Sequence, residues 1–143
     1  MATLYFEDVK EGDEIPGYAV KAGYMELNRF AGANDEHIPI HMDPDYAVNV
    51  AKLPDVIVMG NLKLAYLANA LVAWAGPDGW VKKIDVSYRR MDNVNETLTA
   101  KGVVKGKRQE GGENLVDVDI WVENGKGEKT TPGSAVVSLP SKG

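Results

Sequence analysis

The sequence of 143 residues contains no cysteine. This absence excludes disulfide bonds, thiolate metal sites and a cysteine nucleophile, and it is compatible with a reducing compartment. A domain of this length buries roughly two-thirds of its unfolded surface on folding, so one hydrophobic core can stabilise it without covalent cross-links. We therefore expect a single domain over residues 1–143.

The sequence also lacks an excess of basic residues. Lys and Arg number 16 against 21 Asp and Glu, which gives a net charge of -5 and a pI near 5.0. Because binding to nucleic acid phosphates requires clustered Lys and Arg, we expect no nucleic acid partner. The first residues turn acidic and lack the basic-then-apolar order of a signal peptide, so a cytoplasmic location is expected.

A long uninterrupted apolar run is absent too. The most apolar stretch, residues 58–75, is shorter than the roughly 20 residues of a membrane span and contains Lys63 and two asparagines. We interpret it as a buried helix over residues 59–74, which ends at the turn signals of residues 76–79. No membrane partner is expected.

After this helix the hydrophobic period changes from about 3.6 to 2. Apolar and polar residues alternate in segments that predict four strands, at residues 84–89, 98–104, 116–122 and 134–139. Turn signals at Gly111-Gly112 and Asn124-Gly125 predict hairpins between them. A short strand at residues 18–22 and a short helix at 24–33 precede the apolar helix. The pattern predicts an α+β domain whose antiparallel sheet wraps around one long central helix.

Candidate chemistry is concentrated in residues 30–47, which hold both histidines and four carboxylates. These are His37, His41, Asp35, Glu36, Asp43 and Asp45. Pro39 predicts a loop, because it lacks a backbone donor and favours an extended residue before it. Asp43-Pro44 then predicts the start of a helix over residues 45–50, with Asp43 as the N-cap.

Residues 30–41, FAGANDEHIPIH, resemble the signature of MaoC-like hydratases, the R-specific enoyl-CoA hydratase group of the hot-dog fold. The similarity continues without a gap through Asp43 to Ala47. Further along, Met59-Gly60 stands where that family usually has a His-Gly pair at the start of its central helix. The resemblance covers nearly the whole chain and implies a hot-dog domain. Such domains usually join edge to edge, as a homodimer or a hot-dog heteromer.

The resemblance implies a lyase of fatty acid metabolism that needs no cofactor. Its reaction is addition of water to a trans-2-enoyl-CoA thioester, giving an (R)-3-hydroxyacyl-CoA, or the reverse dehydration. Glu36 and His41 take the catalytic positions, and Gly60, Asn61 and Ile40 are expected to bind the acyl-CoA substrate. At the first residue of a helix, an unpaired N–H and the helix dipole favour negative charge. The Gly60 N–H is therefore expected to bind the thioester oxygen.

Two residues of the signature depart from the family pattern. Glu36 replaces the usual aspartate and Ile38 replaces the usual asparagine. The extra methylene of Glu36 moves its carboxylate by on the order of 1 Å, and a misplacement of that size can cost about 100-fold in rate. A slower or retuned hydratase is therefore as consistent with the sequence as a fast one, and Asp35 is an alternative partner for His41.

These departures leave other functions open. One is a non-catalytic hot-dog subunit that binds acyl-CoA or completes a heteromeric hydratase, and another is hydrolysis of an acyl thioester. We predict no metal site, because Pro39 breaks the helical spacing that would group the ligands, and we interpret His37 as a solvated loop residue. Several basic residues are interpreted as a solvated face of the sheet, with coenzyme A phosphates as an alternative role. They are Lys82, Lys83, Arg89, Arg90, Lys105, Lys107 and Arg108.

Overall fold

The computed structural model describes residues 2–143 and contains five strands and two α-helices, besides shorter helical turns. The strands are β1 (Glu14–Lys21), β2 (Trp80–Val86), β3 (Thr97–Glu110), β4 (Glu113–Glu123) and β5 (Lys129–Ser138), and the helices are α1 (Tyr24–Asn34) and α2 (Gly60–Ala75). All strand pairs are antiparallel, and the sheet has the order β1-β3-β4-β5-β2. Helix α2 contacts all five strands. The predicted α+β architecture, a sheet wrapped around one long helix, is confirmed.

Helix α2 is apolar on most of its surface, and it is stabilised by packing its buried side chains against the sheet. Its largest buried side chains are Leu62, Lys63, Tyr66, Leu67 and Leu71. The helix ends at Gly76, whose φ of 74° is costly for any residue with a Cβ. The predicted boundaries, residues 59–74, differ from the observed ones by one residue at each end.

The concave face of the sheet carries the side chains that cover α2. As the alternation predicts, every second residue is buried over residues 98–104 of β3 and 116–122 of β4: Leu98, Ala100, Gly102 and Val104 on β3, and Val116, Val118, Ile120 and Val122 on β4. The turn between these strands is Gly111-Gly112, with φ of 59° and 81° at the two glycines. Positive φ at both positions matches the twist of a two-residue hairpin, so this predicted turn is confirmed.

The last strand begins earlier than predicted. The alternation predicts a strand over residues 134–139, but β5 runs from Lys129 through Pro132 and Gly133 to Ser138. Proline has no N–H to donate to a neighbouring strand. The strand tolerates Pro132 because this N–H would face the β2 side of the sheet, and β2 has already ended at Val86. Gly133 is required there, since a Cβ would lie 2.1 Å from the carbonyl oxygen of Asp85.

Strand β2 also differs from the prediction. It begins at Trp80 and ends at Val86, so Tyr88 does not continue the alternation of the strand. Residues 87–92, here called the cleft segment, still run beside β5. The N–H groups of Arg89 and Arg90 both donate to the carbonyl of Thr130, at 3.0 and 3.2 Å. Because two donors share one acceptor, the regular ladder cannot continue, and the segment turns toward the start of α2.

The first half of the chain follows the prediction with shifted boundaries. Strand β1 begins four residues earlier than expected, and α1 extends one residue further. The helix expected at 45–50 is a single π-helical turn, Tyr46–Val50. Helical residues already begin at Pro44, so Asp43 caps this segment as predicted, and its Oδ1 accepts from the N–H groups of Asp45 and Tyr46 at 3.0 and 3.2 Å. Within residues 2–143, no helix has the length and apolar character needed to cross a membrane.

The packing of α2 gives a direct test of the fold. Leu71 is fully buried, while its neighbour Val72 is 55% exposed. We expect Leu71→Ala to lower the free energy of unfolding by about 2–5 kcal/mol, because it leaves a cavity between helix and sheet. The control Val72→Ala is expected to change it by no more than about 0.5 kcal/mol. Urea denaturation of both variants measures the difference, and equal losses would contradict the placement of α2.

Candidate active site

The turn at the end of α1 directs the Glu36 side chain toward Asn34 and His41. Asp35 has a φ of 51°, the left-handed conformation that commonly ends a helix and that aspartate tolerates better than most residues. The N–H of Glu36 donates to the carbonyl of Ala31 at 3.0 Å, which turns the chain back. The side-chain amide of Asn34 donates to Glu36 Oε2 at 3.0 Å. As a result, one carboxylate oxygen is held by Asn34 and the other, Oε1, faces His41.

His41 is fixed by a hydrogen bond on one side of its ring. It ends a short 3-10 turn, Pro39–His41, which follows an extended Ile38, and it is buried. Its Nδ1 lies 2.8 Å from the carbonyl oxygen of Ile57. Because a carbonyl can only accept, Nδ1 carries the hydrogen in the neutral ring, and Nε2 presents a lone pair.

The structure brings the two predicted catalytic side chains together. His41 Nε2 lies 3.7 Å from Glu36 Oε1, and the Glu36 side chain is 21% exposed. This separation is too long for a direct hydrogen bond, but it suits two groups that share a bridging water. Asp35, the alternative partner for His41, does not face the histidine ring. Its side chain is 96% exposed, and its Oδ1 lies 3.4 Å from Nε2 of the exposed His37.

The first turn of α2 supplies a second polar feature. Among residues 2–143, no group accepts a hydrogen bond from the N–H of Gly60 or Asn61. The ring of Tyr88 lies directly on Gly60, where a Cβ would be 2.7 Å from Tyr88 Cε2. The Tyr88 hydroxyl donates to Asn61 Oδ1 at 3.0 Å. Burial, and to a smaller degree the Glu36 carboxylate, raise the pKa of Tyr88, so this hydroxyl stays protonated at neutral pH.

A cleft of about 910 Å³ opens beside His41. Its inner lining includes His41, Ile57, Val58, Gly60, Lys63 and Tyr88. Of the residues predicted to act on substrate, His41 and Gly60 therefore line one cleft. Glu36 does not line the cleft, but its Oε1 faces Nε2 of His41, which does.

Two predicted substrate-binding side chains do not line the cleft. Asn61 is exposed, and its side chain accepts from Tyr88. Ile40 is partly buried, and its backbone carbonyl accepts from the N–H of Ile57 at 3.1 Å. Both residues contact lining residues, so the structure gives them supporting positions and no direct place in the cleft.

The predicted basic face divides into two groups. Arg89 and Arg90 line the outer part of the cleft together with Lys126, and Arg90 pairs with Glu128 at 2.8 Å. The others do not line the cleft and have other partners: Lys82 pairs with Glu113, Lys83 with Asp85, Lys105 with Asp119, Arg108 with Asp117, and Lys107 donates to the carbonyl of Val9. Only Arg89 and Arg90 of the predicted set are thus placed to meet an anionic ligand in the cleft.

Sequence reasoning missed three residues of the site. The alternation of residues 84–89 predicts Tyr88 on a strand, and the sequence gives Asn34 no role in the site. Lys63 offered a signal, because a lone charged residue within an apolar helix is almost never fully buried without a partner. Its partner, Asp92, lies 29 positions away and had no local pattern that pointed to it.

Comparison with protein families gives one match. The model of the MaoC like domain matches residues 10–126, which is most of the chain. No curated protein matches the sequence significantly.

Solved structures match the whole fold at low sequence identity. The (R)-hydratase from A. caviae involved in PHA biosynthesis has a TM-score of 0.86 at 22% identity, covering 94% of this chain and 99% of that one. R-hydratase PhaJ1 from Pseudomonas aeruginosa has a TM-score of 0.87 at 20% identity, covering 98% and 88%. The ChsH1-ChsH2 complex from Mycobacterium tuberculosis has a TM-score of 0.79 at 21% identity, covering 91% and 98%. These likenesses show that the chain has the hot-dog fold.

The bond from His41 to Ile57 predicts a single neutral tautomer. We expect nitrogen NMR of the protein to show His41 protonated at Nδ1 and not at Nε2 when the ring is neutral, because the Ile57 carbonyl accepts only from Nδ1. His37, which is exposed, is the internal control and should show the mixture typical of a solvated imidazole. A His41 signal protonated at Nε2 would contradict this geometry.

Proposed function

We propose that this chain, which belongs to the MaoC-like domain family, is a cofactor-free hydro-lyase that acts on an acyl-CoA thioester. In the forward direction it adds water to a trans-2-enoyl-CoA and releases an (R)-3-hydroxyacyl-CoA, and the reverse reaction is the dehydration. The observation that carries the proposal is the geometry of His41. Its Nδ1 is held by Ile57, and its Nε2 faces Glu36 Oε1 at 3.7 Å.

The pair of Glu36 and His41 would bind and activate one water. An unprotonated Nε2 and a carboxylate oxygen can both accept from the same water molecule. As the water oxygen bonds to the β-carbon, the pair takes its proton. The pair then returns one proton to the α-carbon on the same face, so that water adds overall and no proton is left over.

The start of α2 would stabilise the negative charge that develops on the thioester oxygen. The Gly60 N–H has no other acceptor within residues 2–143, lies at the positive end of the helix dipole and borders the same cleft as His41. The ring of Tyr88 packs directly on one side of Gly60. A donor in a water-excluded site is worth more to the transition state than the same donor in water.

The outer part of the cleft suits the rest of the substrate. Arg89, Arg90 and Lys126 lie there, and their charges support contact with the phosphates of coenzyme A. The free edges of β1 and β2, and the exposed Trp80 on β2, support edge-to-edge pairing in a homodimer or a hot-dog heteromer. The cytoplasmic location stays a prediction from the sequence.

A second candidate is a non-catalytic subunit that binds acyl-CoA or completes a heteromeric hydratase. The observation that favours it is Ile38, whose apolar side chain is 48% exposed beside the site, at the position where the family usually has asparagine. An apolar side chain there cannot make the hydrogen bonds of an asparagine amide, so this position gives no polar contact to water or substrate. This candidate requires binding of acyl-CoA without turnover by the isolated chain.

Turnover of crotonyl-CoA by the purified protein tests the proposal. We expect loss of the ultraviolet absorbance of the conjugated thioester, and a fall in kcat of about 100- to 10,000-fold for His41→Ala and for Glu36→Gln, because each removes a proton-transfer group. His37→Ala is the matched control, since it removes an exposed histidine, and it should keep the activity.

The results separate the two candidates. Absence of turnover with a series of enoyl chain lengths, together with measurable binding of acyl-CoA, would favour the non-catalytic subunit. Turnover that persists in both His41→Ala and Glu36→Gln would show that the reaction occurs elsewhere on the protein.

The length of the Glu36 side chain gives a further test. We expect Glu36→Asp to lower kcat by about 10- to 100-fold with little change in KM, because the carboxylate would withdraw by on the order of 1 Å from His41 Nε2. Initial rates over a range of substrate concentrations separate the two constants. A rise in kcat would mean that the loop is built for the shorter side chain of the family, and that Glu36 slows the reaction.

A further inference from the structure

A buried ion pair lies beneath the cleft. Lys63, on the first turn of α2, is 2% exposed, and Asp92, at the end of the cleft segment, is fully buried. Lys63 Nζ donates to Asp92 Oδ2 at 2.9 Å and to the carbonyl of Arg90 at 3.0 Å. The Thr130 hydroxyl donates to the same Asp92 oxygen at 2.7 Å. Three segments of the chain, α2, the cleft segment and β5, therefore meet at one carboxylate.

Stability alone does not explain this pair. Removing two charges from water is costly, and an apolar pair of similar volume often stabilises a protein equally well or better. The site is also incompletely satisfied, because Asp92 Oδ1 has no hydrogen-bond partner among residues 2–143. Lys63 borders the cleft three residues after Gly60. A costly pair at this position suggests that it serves the site.

One peptide group connects the pair to His41. The carbonyl of Ile57 accepts from His41 Nδ1 at 2.8 Å, and the N–H of Val58, which belongs to the same peptide group, donates to the carbonyl of Asp92 at 2.8 Å. A peptide group is planar, so fixing its N–H also fixes the direction of its carbonyl. The position of Asp92 therefore determines where the acceptor for His41 lies.

We propose that Lys63 and Asp92 are positioning residues for His41. Their ion pair holds Asp92, whose carbonyl orients the Ile57-Val58 peptide, and that peptide keeps the hydrogen on His41 Nδ1 and the lone pair on Nε2. The same bonds hold the cleft segment, and with it Tyr88, against the start of α2. Neither residue exchanges a proton with substrate. The inference rests on the proposed function, in which Nε2 is the working nitrogen.

The test replaces the pair in two ways. The double variant Lys63→Met with Asp92→Leu substitutes an apolar pair, and the double variant Lys63→Gln with Asp92→Asn removes the charges but can keep the hydrogen bonds. We expect the apolar pair to lower kcat by about 10- to 100-fold, by analogy with the loss of the hydrogen-bonding partners behind a metal-bound histidine, with KM within about threefold. The polar pair should recover most of kcat.

The tautomer of His41, measured by nitrogen NMR, distinguishes a positioning role of the pair from a purely structural one. We expect the apolar pair to give a mixture of tautomers at His41 and no change at His37, while thermal unfolding stays close to that of the wild-type protein. Full kcat and an unchanged tautomer in a folded apolar variant would overturn the inference. The same result would assign the pair to stability or folding.

A second variant keeps the inference testable if the apolar pair does not fold. Thr130→Val preserves the shape of the side chain and removes its hydroxyl, which lies 2.7 Å from Asp92 Oδ2 and 3.5 Å from the carbonyl oxygen of Val122. We expect kcat to fall by about threefold to tenfold, with a smaller shift of the His41 tautomer, and no change in either would overturn the inference. If the wild-type protein turns over no enoyl thioester, the proposed function fails, and the tautomer comparison still decides whether the pair positions His41.

Discussion

The hydrogen bond from His41 Nδ1 to the carbonyl of Ile57 is the interaction on which the site depends. It joins the loop after α1 to the segment that leads into α2. Without it, the neutral ring could carry its hydrogen on Nε2 and would then offer Glu36 a donor where a base is required. The Ile57 carbonyl thus fixes both the orientation of the His41 ring and the nitrogen that carries the hydrogen.

The second constraint is the close contact at the start of α2. Gly60 is compatible with the Tyr88 ring only because it has no Cβ, and the contact lies beside the unpaired N–H groups of the first turn. Leaving such N–H groups without an acceptor is costly wherever they are shielded from water. The same arrangement is useful for chemistry, since donors that are already oriented need no reorganisation when charge develops.

The sequence correctly predicted the parts of the fold that follow from burial along one element. Period 2 in β3 and β4, and the apolar length of α2, arise because each side chain must face either the core or water, and this choice repeats with the geometry of the element. The resemblance of residues 30–41 to a hydratase signature indicated Glu36 and His41 as a pair. The structure places them 3.7 Å apart, while their catalytic role stays a proposal.

By itself, then, the sequence determined the element types, the inward faces of the sheet and the loop at Pro39, because these depend on local geometry and on the alternation of apolar residues. Only the tertiary structure decided that Tyr88 leaves the strand, that Lys63 pairs with Asp92, and that the Ile57-Val58 peptide orients His41. These features depend on contacts between segments that are distant in the chain. A period within one element carries no information about which carbonyl, 16 residues away, a histidine ring will meet.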